Sequence, residues 1–196
     1  MTTLRRYYLW NIGCQMNQAD ARRAAEELES RGYAATAKPE RADVLILNTC
    51  VVRQSAEDKV IGRLSSLRPL VERNPERALI VMGCYVGDID ALHAAYPFVS
   101  VFLRPSDLDG LSAWLDRWEL QHRWGLTSGE LTTASEVSEL VPVSYGCDHH
   151  CTYCVVALRR GAQRSRSVDD IVRDVAGLVS RGAREVTLLG QNVDAY

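Results

Sequence analysis

No run of apolar residues in this chain is long enough to span a bilayer, and the opening Met1 to Arg6 has no signal-peptide core. The sequence therefore points to a cytoplasmic protein with no membrane partner. An excess of positive charge is missing too, with 23 Lys+Arg against 25 Asp+Glu in 196 residues. That excludes a global field drawing the chain onto nucleic acid. Any RNA contact must come from a local basic patch or from residues outside this chain. Low-complexity segments are absent, and so are the conditions for disulfides, because a reducing compartment keeps thiols free. Six cysteines in such a chain point to metal or to catalysis.

A fourth thiol is also missing from the most distinctive stretch, Gly146-Cys147-Asp148-His149-His150-Cys151-Thr152-Tyr153-Cys154. A 4Fe–4S cube normally takes four thiolates. The CxxxCxxC loop offers three, which would leave one iron open, and an open position separates reactive metal centres from structural ones. The alternative is a zinc knot. Zinc sites usually pair CxxC with a second such pair, which this loop lacks, although His149 or His150 could complete four ligands. Otherwise those histidines are exposed loop residues.

The other three cysteines repeat one local context. Cys14, Cys50 and Cys84 each follow a short apolar or aromatic run of strand character: Tyr7 to Gly13, Val44 to Thr49 and Leu79 to Gly83. The segments between them, Asn17 to Arg31 (stopped by Gly32) and Arg53 to Leu67 (ended near Pro69), read as helices. In a parallel sheet built from such units the strands' carboxyl ends share one edge, where open α/β sheets bind ligands. The three thiols would converge there and could carry a second cluster with one open iron. The bland alternative is three buried cysteines acting as small apolar residues.

The fold class expected is α/β, with a three-layer domain around a parallel sheet over residues 1–124 and a linker over 125–139. A second unit begins at 140 and runs to 196. Further elements expected are a helix from Asp88 to Ala95, a strand from Phe98 to Leu103 and a helix from Ser106 to Leu120 with Ser106 as N-cap. In the second unit, a strand from Leu140 to Tyr145 delivers the cysteine loop. A helix from Ser167 to Arg181, capped by Gly182, leads to a strand from Glu185 to Leu189. Only 42 residues follow Cys154, enough for one helix and one strand, whereas a full (β/α) barrel takes roughly 200 residues or more. The second unit is expected to be the truncated start of such a barrel.

Together these features resemble the methylthiotransferases of the radical S-adenosylmethionine (SAM) superfamily. Gly13-Cys14-Gln15-Met16-Asn17, Asn48-Thr49-Cys50-Val51-Val52-Arg53 and Leu188-Leu189-Gly190-Gln191-Asn192-Val193-Asp194-Ala195-Tyr196 look like the tRNA-modifying branch. The ribosomal-protein-modifying branch, which has Pro-Lys-Asn in place of Gln15-Met16-Asn17, is the runner-up. The resemblance implies two 4Fe–4S clusters, one on Cys14, Cys50 and Cys84 and one on Cys147, Cys151 and Cys154, with SAM on the second. It implies methylthio transfer to C2 of an isopentenylated adenosine in a tRNA anticodon stem-loop. An electron donor such as a flavodoxin or ferredoxin would serve it, and a monomer is expected. Tyr153, Gly190, Gln191 and Asn192 would hold SAM; packing and an ordinary turn are the alternatives. Arg159, Arg160, Arg164 and Arg166 could meet RNA phosphates or form a solvated run. Asn17 and Asn48 could hydrogen-bond near cluster sulfur, or serve as a helix cap and a strand end.

Two positions depart from the family pattern. Ala157 stands where a proline is usual, and Gln163 where a glutamate is usual. Neither is an expected ligand. A non-catalytic iron–sulfur protein using the same ligands, and a zinc-stabilised RNA-binding module, are the competing functions.

Overall fold

The computed structural model describes residues 4–51, 54–122 and 136–196. Most of the expected linker, together with Val52 and Arg53, lies outside the described residues.

The first unit alternates strand and helix as its periodicity requires. It comprises β1 (Arg6–Asn11), α1 (Gln15–Ser30), β2 (Ala34–Ala35), β3 (Val44–Thr49), α2 (Gln54–Glu72), β4 (Ala78–Gly83), α3 (Ile89–Ala95), β5 (Val101–Leu103) and α4 (Leu108–Gln121). The strands form one sheet in the order β2-β1-β3-β4-β5, every pairing parallel. β3 and β4 lie in the middle and are buried along their whole length, which is why they read as continuous apolar runs. Their side chains alternate between two cores. Leu45, Leu47, Leu79 and Val81 meet Val60, Leu64 and Leu67 of α2 on one face. Val44, Ile46, Ile80 and Met82 meet Ala24 and Leu28 of α1 and Leu111 and Leu115 of α4 on the other. The unit is thus a three-layer sandwich. Leu64→Ala, which empties a fully buried position, is expected to destabilise it by about 2–5 kcal/mol, read from the shift of the chemical denaturation midpoint.

Several boundaries differ from the sequence expectation. α2 runs through Pro69 to Glu72, because Leu67 and Val71 on either side are packed in the core. That burial offsets the roughly 3 kcal/mol an internal proline costs. α4 is capped not by Ser106 but by Asp107, whose carboxylate accepts from the Gly110 amide at 2.9 Å. β5 starts at Val101, since the Val99 amide closes a turn onto the Tyr96 carbonyl at 3.0 Å.

In the second unit β6 (Ser138–Pro142) pairs in parallel with β9 (Glu185–Leu189). Between them lie β7 (Ser144–Tyr145), α5 (Val156–Arg160), β8 (Arg164–Ser165) and α6 (Val168–Ser180). Ile171 and Leu178 of α6 pack on Val141, Val143 and Ala183. The strand expected from Leu140 to Tyr145 begins earlier, at Ser138, and breaks at Val143, after which β7 pairs antiparallel with β8. This small hairpin closes the base of the cysteine loop.

The two units touch along α1. Met16 and Ala19 pack with Leu189, Leu140 and Tyr145. Around them Arg22 pairs with Glu139 at 2.6 Å, Arg181 with Glu26 at 3.1 Å, and Arg23 donates to the Tyr145 hydroxyl at 2.7 Å. Among the described residues no helix is long and apolar enough to cross a membrane.

Candidate functional site

Cys14, Cys50 and Cys84 follow β1, β3 and β4, which are adjacent in the sheet. Register aligns their ends: Asn11 faces Asn48, Thr49 faces Gly83, and the Cys84 amide donates to the Thr49 carbonyl at 2.9 Å. Gly13 is pressed against Cys50, since a side-chain carbon on it would lie 2.9 Å from the Cys50 Cβ. The three thiols therefore gather on one edge, as expected, with Cys50 and Cys84 buried and Cys14 exposed. All six cysteines are free.

Buried amides shape the floor of this edge. Asn17 is fully buried; its Nδ2 donates to the Thr49 carbonyl at 2.6 Å and the Ile12 carbonyl at 3.3 Å, while its Oδ1 accepts from the Cys14 thiol at 3.4 Å. Asn48 donates to Asn11 Oδ1 at 3.0 Å and to the Asn17 carbonyl at 2.6 Å. Its Oδ1 is buried without a hydrogen-bond partner. Asn17 thus contacts the Cys14 thiol from inside α1 rather than capping it, while Asn48, next to last in β3, ties Asn11 to the Asn17 carbonyl.

Arg160 belongs to the basic stretch in sequence, but its side chain is only 4% exposed and points into this edge. It donates to Asn17 Oδ1 at 3.1 Å, to Ser106 Oγ at 3.1 Å and to Asp20 Oδ2 at 3.3 Å. Asp20 is itself fully buried, and the Ser106 hydroxyl donates to both of its oxygens at 2.9 and 3.0 Å. Burial would lower the Arg160 guanidinium, but Cys84, Asp20 and Cys14 outweigh it and hold the group above its ordinary value. Burial pushes the Cys84 thiol up; Arg160 opposes this, and Cys50 and Cys14 add to it. Burial likewise pushes the Asp20 carboxyl up against the pull of Arg160. Arg166 is also engaged internally, donating to the Pro142 carbonyl at 2.8 Å and pairing with Asp174 at 2.7 Å. Arg164 remains exposed, so the stretch is not one solvated basic face.

Sequence reasoning missed Asp20 and Ser106. A signal for Asp20 existed: it shares the inward face of α1 with Met16, Asn17 and Ala24, where a charge needs a partner.

The second triad sits on the loop that the β7–β8 hairpin closes. Cys147 and Cys154 are partly buried and Cys151 is exposed. The Cys147 amide donates to the Gly161 carbonyl at 3.1 Å, and the Cys154 amide to the Cys151 carbonyl at 3.1 Å. Gln191 buttresses the loop from the end of β9, its Oε1 accepting from the Gly146 amide at 2.6 Å. Gly190 packs where a side-chain carbon would strike the buried Ser144 hydroxyl, which has no hydrogen-bond partner. Asn192 lines a groove of about 420 Å³ with Asp148, His149, Gln163, Ser165 and Ala195. Tyr153 is 90% exposed, so packing is not its role. His149 and His150 are exposed.

Among the described residues, no three Cys, His, Asp or Glu side chains crowd one point as the ligands of a single ion would. Ligands of a four-iron cube meet different irons and stand further apart. The donor chemistry of both triads fits such a group: soft thiolates at a sheet edge and on a held loop. At the first triad a buried cation offsets the anion.

Residues 6–103, half of the chain, match the uncharacterized protein family UPF0004. The chain belongs to that family. All three strand-end cysteines of the sheet fall within this UPF0004 region, and residues 141–196, with the loop triad, match the radical SAM superfamily. A relative from Dehalococcoides mccartyi named tRNA-2-methylthio-N(6)-dimethylallyladenosine synthase is 43% identical over 193 residues, covering 97% of this chain and 43% of the relative. Proteins of the same name from Roseiflexus sp. and Clostridium perfringens are 39% and 36% identical, covering 98% and 94% of this chain and 41% and 44% of their own lengths. This UPF0004 chain thus spans about two-fifths of the length of the curated relatives it matches.

Proposed function

We propose that this chain forms the sulfur-donating domain and the SAM-cluster loop of a radical SAM methylthiotransferase acting on tRNA. The observation that carries the proposal is the gathering of Cys14, Cys50 and Cys84 on one sheet edge, joined by α1 to a unit bearing a separate CxxxCxxC loop. Two thiol triads held on one framework suit a reaction with two sulfur-bound cofactors. Cys14, Cys50 and Cys84 would hold one 4Fe–4S cluster and Cys147, Cys151 and Cys154 the other. When bound, these clusters supply reductive SAM chemistry and exchangeable sulfur, which no side chain can provide.

The chain's own residues position these groups. Gln191 fixes the start of the loop, while Gly190 allows β9 to end against Ser144. The groove beside Asp148 and Asn192 offers polar groups for the SAM amino and carboxylate ends, and exposed Tyr153 is free to meet its adenine. Burial of Cys50 and Cys84 excludes water from the sulfur-donating side. The substrate class, a dimethylallyladenosine (isopentenylated adenosine) of tRNA, rests on the relatives' name. Its place in the anticodon stem-loop, a cytoplasmic setting, a one-electron donor of flavodoxin or ferredoxin type and a monomeric state are carried over from the sequence reading and resemblance.

Anaerobic reconstitution with iron and sulfide, followed by SAM titration, tests this. SAM should change the electron paramagnetic resonance signal of the loop cluster, and the change should vanish in Cys151→Ala. An iron-loaded protein whose signal ignores SAM would favour a non-catalytic iron–sulfur protein. Zinc in place of iron would remove both.

A further inference from the structure

Arg160 is the buried cation that the proposed function leaves unused. It belongs to the second unit, at the end of α5, yet its guanidinium hydrogen-bonds to Asn17, Asp20 and Ser106 of the first. Its anchor is elaborate. Ser106 is, among the described residues, the non-glycine residue with a positive φ, 62°, an uncommon conformation that places its hydroxyl on the Asp20 carboxylate. Asn17 Oδ1 accepts from both Arg160 and the Cys14 thiol, so the guanidinium is one atom removed from one sulfur of the triad.

An ion pair joining two units needs only Asp20. The extra contact with Asn17, which also holds the Cys14 thiol, brings the charge toward the sulfurs. Thiolates on an iron–sulfur cube make a strongly anionic group, and a guanidinium stays protonated in any protein environment. Net charge and hydrogen bonds around the sulfurs set the potential of such a group.

We propose that Arg160 is a positioning residue for the Cys14–Cys50–Cys84 site, delivered by the radical SAM unit to hold the two units in register and to favour the reduced form of the group those thiols bind. This rests on the assignment of that triad as a cluster site. Docking of the second unit would thereby complete the electrostatics of the first.

The test uses the full-length protein with Cys147, Cys151 and Cys154 replaced by alanine, leaving one site to load. Arg160, Arg160→Met and Arg160→Lys forms are reconstituted, and iron, sulfide and midpoint potential are measured. The Met variant should lower the reduction equilibrium about tenfold, a shift of about 59 mV to more negative potential for one electron. The Lys variant should recover at least half of that. Loss of iron from Met but not from Lys would also support the proposal, because charge is what the two variants do not share. An iron-loaded parent with an unshifted Met potential would overturn the role of Arg160 alone, and so would equal loss of iron from both variants. A parent without iron would overturn the cluster assignment, and this proposal with it.

Discussion

Cys147→Ala in the full-length protein is expected, on the proposed function, to abolish reductive cleavage of SAM, whereas Cys14→Ala should leave cleavage intact and abolish methylthiolated tRNA. The two thiols belong to separate units and to separate hydrogen-bonded surroundings. Cys147 is tied to Gly161 in the loop, and Cys14 sits over Asn17 at the sheet edge. Each triad already has one ligand fewer than a cube normally takes, so neither has a spare thiol to compensate. Losing a supporting partner of a metal ligand typically costs roughly 10–100-fold; losing a ligand from a three-thiol site should exceed that. Counting 5′-deoxyadenosine and methylthiolated nucleoside in one reaction separates the two functions. Normal product from Cys14→Ala would remove the sheet edge as the sulfur site. Loss of both products from Cys14→Ala, with the loop cluster's iron retained, would mean that the two centres are not independent.

That separation was legible in the sequence because it depends on features with a period or a spacing. β3 and β4 are unbroken apolar runs, and α1 stops just before Gly32, although α2 runs past Pro69 to Glu72. The shared position of each cysteine after its strand follows from parallel topology alone. What connects the units was not legible. β7 and β8 are two residues each, too short to show alternation, so the hairpin under the cysteine loop left no pattern. Arg160 sits among three other arginines and reads as part of a charged surface. Only the three-dimensional placement of Asp20, Asn17 and Ser106 turns it inward. Ser106 itself carries a helix-cap composition, and the cap goes to the next residue because its own hydroxyl is drawn to Asp20. Local propensity placed the cysteines; long-range polar pairing decided what surrounds them.

Gly83→Ala is expected to destabilise the chain by about 3 kcal/mol and to strip iron from the Cys14–Cys50–Cys84 site, although it adds a single methyl group. Gly83 has φ +99°, a conformation that side-chain-bearing residues rarely adopt, and such strain costs on the order of 1–3 kcal/mol. The new carbon would also lie 2.5 Å from the Thr49 carbonyl oxygen, 2.7 Å from Asn48 Oδ1 and 2.8 Å from the Thr49 amide nitrogen. Two of those are backbone atoms of a central strand and cannot swing aside. Relief requires β4 to move away from β3 where the Cys84 amide meets the Thr49 carbonyl, and Thr49 Oγ1, bonded to the Met82 carbonyl at 2.6 Å, would be dragged with it. Both changes displace Cys84 from Cys50. Gly62 is the matched control: it lies mid-helix in α2 with open space around its would-be side chain. Gly62→Ala should therefore stabilise the fold by about 0.4–1 kcal/mol and leave iron binding unchanged. Denaturation midpoints and iron content of the two variants, compared side by side, check both halves. A Gly83→Ala protein as stable and as iron-rich as its parent would mean that the close approach of β3 and β4 does not hold Cys84 in place.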